Sequence, residues 1–312
     1  MNWRVLLLIS VFVILFIVTK WSVANTDDFR ISNVQYEVPY HPEWEVESLA
    51  PVQKHLLNHI LHQHFTYLGK GDQCYAFLSE DGKWVLKMFI VKHLKPSPLF
   101  TLIPSVGKLQ EYKQSIELEK RQQLEGLLNS YKLAYDVYRP ESGCLYMHFN
   151  NSQRLNRAVS VTDKLGREWT VDLDPLAFVI QQRAVPLRDE MDQLLSRDNV
   201  RRAKKRIRQT IALYLRQYAL GIHDWEKDVM NNNGFVGEKP VHFGVEDLIV
   251  DESVQSKEAQ IEHLVRVCQS MEQWVSSHFP EYRQELIDEM ELGLGHVFGQ
   301  KIHFTYKRVS VQ

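Results

Sequence analysis

Two glycines and a downstream lysine form the arrangement in this sequence whose chemistry is clearest, the binding of a phosphate group. Gly69 and Gly71 lie at a turn between two predicted strands, and Lys87 follows on a third strand among apolar neighbours. A glycine has no β-carbon, so backbone amides can approach phosphate oxygens closely. A lysine on a buried strand below such a turn would direct its ammonium group at the same phosphates. The pattern predicts a phosphate site, with a plain hairpin and a lysine that extends to solvent as the structural alternative.

The elements that must position these residues are indicated by apolar runs and by turn signals. Strands are predicted at Phe65–Leu68 and Tyr75–Leu78, on either side of the glycine turn. Asp81-Gly82 predicts a hairpin that leads into a strand at Trp84–Ile90, which carries the lysine. A third glycine that would close the loop is missing, and Tyr75 stands near its place.

The rest of the chain shows alternating helical and extended segments. Helices are predicted over residues 48–64, 109–135, 200–220 and 257–292, and strands over 143–149, within 169–182 and within 241–250. Asp198-Asn199 is expected to cap the third helix, and Asn231–Gly234 to form a turn. Because strands concentrate early and helices late, the sequence predicts an α+β fold with two lobes.

The chain resembles the protein-kinase-like superfamily in one stretch, which reads Leu-Gly-Lys-Gly-Asp-Gln-Cys-Tyr-Ala-Phe at 68–77 and Ser-Glu-Asp-Gly-Lys-Trp-Val-Leu-Lys-Met-Phe at 79–89. It is more closely similar to the small, diverged kinase-like proteins of intracellular bacteria, loosely from residue 65 to about residue 251. The resemblance implies a β-rich N-lobe over residues 25–183, a reduced helical C-lobe over 184–312, and ATP with Mg²⁺ as cofactors.

The resemblance also implies partners for the nucleotide in the N-lobe. In such proteins the lysine, here Lys87, pairs with a glutamate of the next helix, for which Glu117, Glu119 and Glu125 are the candidates. The segment that contains Gln181 resembles the last strand and the hinge, where backbone amides hold the edge of the adenine.

An aspartate near the acceptor hydroxyl and, a few residues later, an asparagine that holds Mg²⁺ are expected as well. Two registers fit the sequence. In the first, Asp224 is the catalytic residue and Asn232 the metal ligand, with an enlarged insert between them. In the second, Asp228 and Asn233 keep the usual five-residue step. We favour the first because Gly221-Ile222 stands at the helix end where such loops begin, and a polar turn between helix and strand is the plain alternative.

The second metal ligand that the resemblance implies is replaced. Gly244 stands where a kinase has an aspartate, and Glu246 stands where it has the following glycine. Because Mg²⁺ is held by one or two carboxylates and the phosphates, losing one matters. Glu246 or Asp247 would become a metal ligand only after a backbone shift of about two residues, roughly 7 Å along a strand. The sequence therefore predicts a non-catalytic or weakly active nucleotide-binding or scaffold module, with an atypical ATP-dependent phosphotransferase using Lys87, Asp224 and Asn232 as the alternative.

The first 24 residues predict membrane targeting. Arg4 precedes an apolar run over residues 5–18, which is shorter than the about 20 residues of a membrane span and typical of a signal peptide. Ser22-Val23-Ala24 offers a cleavage site, whereas Trp21 would anchor a retained helix at the membrane interface. Both alternatives predict that the remaining chain is secreted or membrane-anchored, outside the cytoplasm. A membrane-anchored interaction protein without a nucleotide site is a third functional class.

Composition and charge limit the classes of partner and the cysteine chemistry that the chain could have. The net charge of −2 at pH 7 gives no field that favours nucleic acid. Cys74, Cys144 and Cys268 lie far apart without a CxxC pair, which argues against a disulfide framework or a thiolate metal site.

Two further clusters leave alternatives open. Histidines 55, 59 and 62 share one helix face, either a zinc site or a solvated face. The basic segment, residues 201–208, is either a docking surface for an acidic protein partner or lipid, or a solvated helix face.

Overall fold

The computed structural model describes residues 3–35, 40–47, 49–91, 107–150, 155–224 and 228–303, and within them the chain is α+β, as predicted. The helices are α1 (Trp3–Thr26), α2 (Ile31–Val34), α3 (Pro51–Leu61), α4 (Lys108–Asp136), α5 (Arg139–Ser142), α6 (Leu187–Leu195), α7 (Val200–Ala219), α8 (Val229–Asn232), α9 (Lys257–His278) and α10 (Arg283–Phe298). The strands are β1 (Phe65–Lys70), β2 (Cys74–Ser79), β3 (Trp84–Phe89), β4 (Cys144–His148), β5 (Ala158–Thr162), β6 (Glu168–Asp172), β7 (Phe178–Gln182), β8 (Val185–Pro186), β9 (Ile222–Asp224), β10 (Asn233–Val236), β11 (Lys239–His242) and β12 (Leu248–Val250).

The chain divides into two compact units. Unit 1 comprises Met1–Leu124 and Tyr146–Ile180, and unit 2 comprises Glu125–Leu145 and Gln181–Gln312. The boundary near residue 180 lies close to the end predicted for the first lobe. The second half of α4 belongs to unit 2, where it hydrogen-bonds the chain between β11 and β12.

Unit 1 contains most of a seven-stranded sheet in the order β4-β7-β3-β2-β1-β5-β6. Strands β1, β2 and β3 form an antiparallel meander, and β1 also pairs with β5 in parallel. The predicted Asp81-Gly82 hairpin is confirmed, with Gly82 at φ +69° in the left-handed region that suits glycine. The structure adds β5, which sequence analysis missed; it is short, and only its alternate residues are buried.

The segment that follows α1, residues 26–34, is bound tightly to the sheet of unit 1. Asp27 accepts hydrogen bonds from the Tyr67 hydroxyl (2.5 Å) and from Lys164 (3.0 Å). The Tyr75 hydroxyl donates to the carbonyl of Asp28 (2.9 Å). Burial, together with the bond to Asp27, raises the pKa of Tyr67 well above its usual value, and burial raises the pKa of Tyr75 to about 12. Both tyrosines are therefore neutral donors at any physiological pH.

The same segment closes one face of the meander with an aromatic side chain. Phe29 is 1% exposed and meets the rings of Tyr75, Phe77 and Trp169 edge-on, at centroid distances of 5.1, 5.0 and 6.1 Å. Residues immediately after the predicted cleavage site are thus part of the core of unit 1.

Helix α1 continues past Ala24 to Thr26, and apolar side chains along it lie in solvent. Phe12 is 71% exposed and Phe16 is 64% exposed. Across the part of the chain that the structure describes, no helix combines the length and the apolar character needed to cross a membrane.

Unit 2 is built on α7, α9 and α10, with a three-stranded sheet β11-β10-β8 and a pair β12-β9. The prediction of a turn at Asn231–Gly234 is wrong, because α8 ends at Asn232 and Gly234 lies in β10. A β-carbon on Gly234 would lie 2.9 Å from the carbonyl carbon of Val185 and closer still to its oxygen. Glycine is needed here for the close approach of β8, rather than for a turn.

The basic segment on α7 finds its acidic partners within unit 2. Arg206 is 1% exposed and binds Glu190 (2.8 Å) and Glu238 (3.1 Å), with its guanidinium 4.1 Å from the centre of the Phe235 ring. The other ion pairs of the segment are Arg202–Glu238, Lys205–Glu238, Lys204–Glu285 and Arg208–Glu289. Arg201, Arg202, Lys205 and Arg208 are nevertheless exposed, so most of the segment is a solvated helix face, with Arg206 as its buried member.

Candidate functional site

Two residues of the predicted phosphate site, Gly69 and Lys87, lie in one row across the meander of unit 1, with Ala76 between them. Lys87 of β3 pairs with Ala76 of β2, and Ala76 pairs with Gly69 of β1. Residues directly opposite each other on neighbouring strands share a face of the sheet. Lys87 is 8% exposed, its cross-strand neighbour on β2 is the small Ala76, and Gly69 follows one strand further along the same row.

Gly69, which the structure places within β1 rather than in the predicted turn, and Gly71, in the turn after it, are not required by the packing of the protein. A β-carbon on Gly69 would have no neighbour within 4 Å, and one on Gly71 would meet only the Cys74 oxygen, at 3.9 Å. Neither glycine has a positive φ. Since conformation and packing both allow other residues here, the open space above the turn is the feature that glycine preserves. This is what a backbone that approaches phosphate requires.

The remaining N-lobe candidates are placed as follows. Glu117 and Glu119 are exposed on α4, and Glu119 accepts from Gln123. Gln181 lies at the end of β7 and is 1% exposed; its amide donates to the carbonyls of Ser142 (2.7 Å) and Phe243 (3.2 Å). Its side chain thus links two backbone segments of unit 2 by hydrogen bonds. A contact to adenine from this position would therefore come from the backbone.

Asp224 ends β9 with its side chain buried against a histidine. Its Oδ2 lies 2.9 Å from Nε2 of His242, and the two side chains are 2% and 0% exposed. The other ring nitrogen of His242 lies 3.0 Å from the amide oxygen of Gln217 on α7. The three groups form a buried chain from α7 through β11 to β9, and the carboxylate that we favoured as the catalytic residue is one end of it.

Asp228 and Asn233, the alternative pair, also have structural roles. Asp228 caps α8, since its carboxylate accepts from the backbone and side-chain amides of Asn231. Asn233 is 1% exposed, and its amide donates to the Tyr214 hydroxyl (2.8 Å) and to the Val229 carbonyl (3.1 Å). The structure therefore places Asp228 at the surface and Asn233 in the core.

The amide of Asn232 occupies the space beside Gly244. A β-carbon on Gly244 would lie 2.7 Å from Oδ1 of Asn232 and closer still to its Cβ and Cγ. The backbone amides of Phe243 and Gly244 both donate to the carbonyl of Asn232, at 2.9 and 3.0 Å. The asparagine and the glycine thus form one compact contact, and no side chain fits at position 244 unless Asn232 moves.

Gly244→Ala is expected to lower the free energy of unfolding by about 1–3 kcal/mol, the usual cost of overpacking. Urea titration should show the loss, and the double variant Asn232→Gly/Gly244→Ala should recover part of it, because glycine at position 232 removes the Cβ and Cγ that the new alanine would meet. Gly126→Ala on the open face of α4 is the matched control and should stabilise by about 0.5–1 kcal/mol. Equal losses in the single and double variants would contradict this contact.

Carboxylates gather on the chain that follows Gly244. Glu246 accepts a hydrogen bond from the Tyr131 hydroxyl of α4 (2.8 Å), and Ser130 bonds the backbone of Val245 and Leu248 on either side. Burial raises the pKa of Asp247, and the nearby carboxylates of Asp224 and Glu246 raise it further. Sequence reasoning noted Asp247, but only the structure places it near Asp224.

These residues do not fit a Mg²⁺ site as they stand. Asn232 is packed against Gly244, and Glu246 is bonded to Tyr131. Among the described residues there is no group of three or more histidine, cysteine, aspartate or glutamate side chains that could hold a metal ion. The histidines on the face of α3 likewise belong to no such group among the described residues. Their neighbour His64 binds the hydroxyls of Ser160 (3.1 Å) and Thr162 (2.6 Å).

Comparison with known proteins assigns no family. No protein-family model matches the chain, and no curated protein matches it significantly. The functional argument therefore depends on the residues and their geometry.

Proposed function

We propose that this chain is a kinase-like module that binds a nucleotide through unit 1 and does not transfer its phosphoryl group. The observation that carries the proposal is the row formed by Gly69, Ala76 and Lys87. A buried lysine in one row with Ala76 and Gly69, near the β1–β2 turn that holds Gly71, is an arrangement suited to phosphate.

The proposed lack of catalysis follows from unit 2. Phosphoryl transfer depends on positioned carboxylates and on metal ions that neutralise the developing charge. Asp224 is held by His242, and the position of Gly244 is closed by Asn232. A catalytic role for either position would require the surrounding side chains to rearrange first.

The proposed setting is outside the cytoplasm, as a secreted or membrane-anchored scaffold that acts on a protein partner and not on nucleic acid. The exposed apolar side chains of α1 support contact with a membrane, since water-exposed phenylalanines are costly. A C-terminal fusion to an enzyme that is active only outside the cytoplasm tests the location; an inactive but intact fusion would refute it.

Thermal unfolding with and without ATP tests the nucleotide proposal. ATP at about 100 times its Kd should stabilise by about 2.7 kcal/mol, which raises Tm by several degrees. We expect this shift with or without Mg²⁺, and we expect Lys87→Ala to abolish it. Lys83→Ala, an exposed lysine on the hairpin before β3, is the matched control and should keep the shift. The absence of a shift in the wild type would overturn the proposal. The remaining functional class would then be a membrane-anchored interaction protein without a nucleotide site.

An atypical phosphotransferase that uses Lys87, Asp224 and Asn232 is the second candidate. It is favoured by one observation, the nearness of Asp247 to the carboxylates of Asp224 and Glu246, because a divalent cation would relieve their repulsion. A shift that requires both Mg²⁺ and Lys87, together with ATP turnover, would select this candidate over the non-catalytic module.

A further inference from the structure

Two histidines of unit 2 lie in contact at the strand that leads to Asp224. His223 of β9 is 3% exposed, and the half-buried ring of His263 on α9 lies 4.2 Å from it, centre to centre. Tyr218 of α7 packs against both rings, at 6.5 and 5.9 Å. The contact therefore joins three elements that are far apart in sequence, α7, β9 and α9.

The charged groups around this pair come from every element packed against it. On the β9–β12 side, the carboxylate of Asp251 lies 3.8 Å from Nδ1 of His223, and Asp224 is the next residue of β9. On α9, Arg266 faces both histidines and is paired with Glu262. Tyr218, which packs against both rings, and Cys268 near Tyr218 are neutral, because burial raises the pKa of both.

The position of the pair connects it to the candidate site. His223 pairs with Ile249 of β12, and the next residues in register are Asp224 and Leu248. Asp224 holds His242, and Leu248 is bonded by Ser130. Separation of α9 from β9 would therefore loosen the strand pair that positions Asp224 and the carboxylates before β12.

We propose that the contact between His223 and His263 is an acid-sensitive latch, which holds α9 against β9 while both rings are neutral and releases it when they are protonated. Two imidazolium rings at this distance repel each other, and Arg266 adds a third positive charge. The carboxylate of Asp251 favours the protonated form of His223, but its distance of 3.8 Å from the ring is too long for a strong hydrogen bond. The latch does not depend on nucleotide binding.

The direction of the pH effect follows from linkage. Burial lowers the pKa of His223, with His263 lowering it further, and burial together with Arg266 lowers the pKa of His263. In the opened state both histidines return toward about 6.5. The opened state then binds more protons, so the latch is closed above pH about 6.5 and is lost as the pH falls below that value. Each histidine contributes up to about a tenfold increase in the opening constant per pH unit.

Amide hydrogen exchange read by mass spectrometry on the full chain, from pH 7.5 to 5 and corrected for intrinsic exchange, tests the latch. In the wild type, opening of β9, β12 and the first half of α9 should increase by up to about 100-fold per pH unit where both rings titrate. In His223→Gln/His263→Gln this dependence should be absent. His148→Gln is the matched control, because His148 is a buried histidine of unit 1 with a lowered pKa, and the response of α9 should persist in it.

Two surface variants keep the proposal testable if the double variant does not fold. Arg266→Gln removes a charge that lowers both histidine pKa values in the closed state, so the closed latch tolerates protonation better and opening should move to lower pH. Asp251→Asn retains an acceptor for Ser253 but removes the charge that favours the protonated rings in the closed state, so opening should move to higher pH. An unchanged pH dependence in the double variant, or midpoints in the surface variants that do not move in opposite directions, would overturn the latch.

Discussion

Replacing Arg206 by alanine is expected to lower the free energy of unfolding by about 3–5 kcal/mol, the cost of breaking a buried ion pair by removing one partner. The guanidinium is 1% exposed and binds Glu190, which would be left without its closest cation. The substitution also removes the cation–π contact with Phe235 and a hydrogen bond to the carbonyl of Gly237. Urea unfolding followed by circular dichroism measures the loss.

The matched control for this prediction is Arg202→Ala, one turn earlier on α7. Arg202 binds the same Glu238, but its side chain is 47% exposed, so water replaces the interaction. We expect a change too small to resolve in the same titration. If both variants lose similar stability, burial of Arg206 is not the source of the effect, and the basic segment does not stabilise unit 2 through a buried ion pair.

Phe29→Ala is expected to cost about 3–5 kcal/mol, the usual range for truncating a buried phenylalanine. Phe29 covers the face of the meander that carries Tyr75 and Phe77, which is opposite the face of Lys87. The variant therefore tests whether the segment after α1 is an integral part of unit 1. Thermal and urea unfolding, monitored by tryptophan fluorescence because Trp169 adjoins the ring, give the readout.

Tyr40→Ala is the control for the phenylalanine, since it truncates an aromatic side chain of the same unit that is 62% exposed. It should leave the unfolding midpoint unchanged within error. A loss of less than about 1 kcal/mol in Phe29→Ala would mean that the segment contributes little to the core, and that unit 1 begins later in the chain.

Local elements were largely predictable from the sequence. The strands around the glycine turn, the hairpin at Asp81-Gly82 and the helix that begins after Asn199 all lie where apolar period and turn chemistry indicated. These signals act over a few residues, so neighbours in sequence are enough to determine them. The turn expected at Asn231–Gly234 failed because glycine at position 234 serves the close approach of β8, which no local pattern encodes.

The row at the candidate phosphate site depended on register, which the sequence does not specify. Strand β1 shifts its pairing with β2 between Tyr67 and Gly69, and this irregularity places Gly69, rather than Leu68, opposite Ala76. A slip of one residue exchanges the two faces of a strand. This bulge therefore decides that Gly69, and not Leu68, lies in the same row as Ala76 and Lys87.

The sequence by itself thus determined an α+β chain with a glycine turn, a buried-strand lysine and a glycine at position 244. Only the tertiary structure decided that Asp224 lies against His242, that Asn232 fills the space at Gly244, and that Arg206 of the basic segment is buried with acidic partners of its own unit. The physical reason is the distance along the chain over which each kind of signal acts. Propensity and turn chemistry act between adjacent residues, whereas the partner of a charge and the space beside a glycine are set by residues that folding brings together.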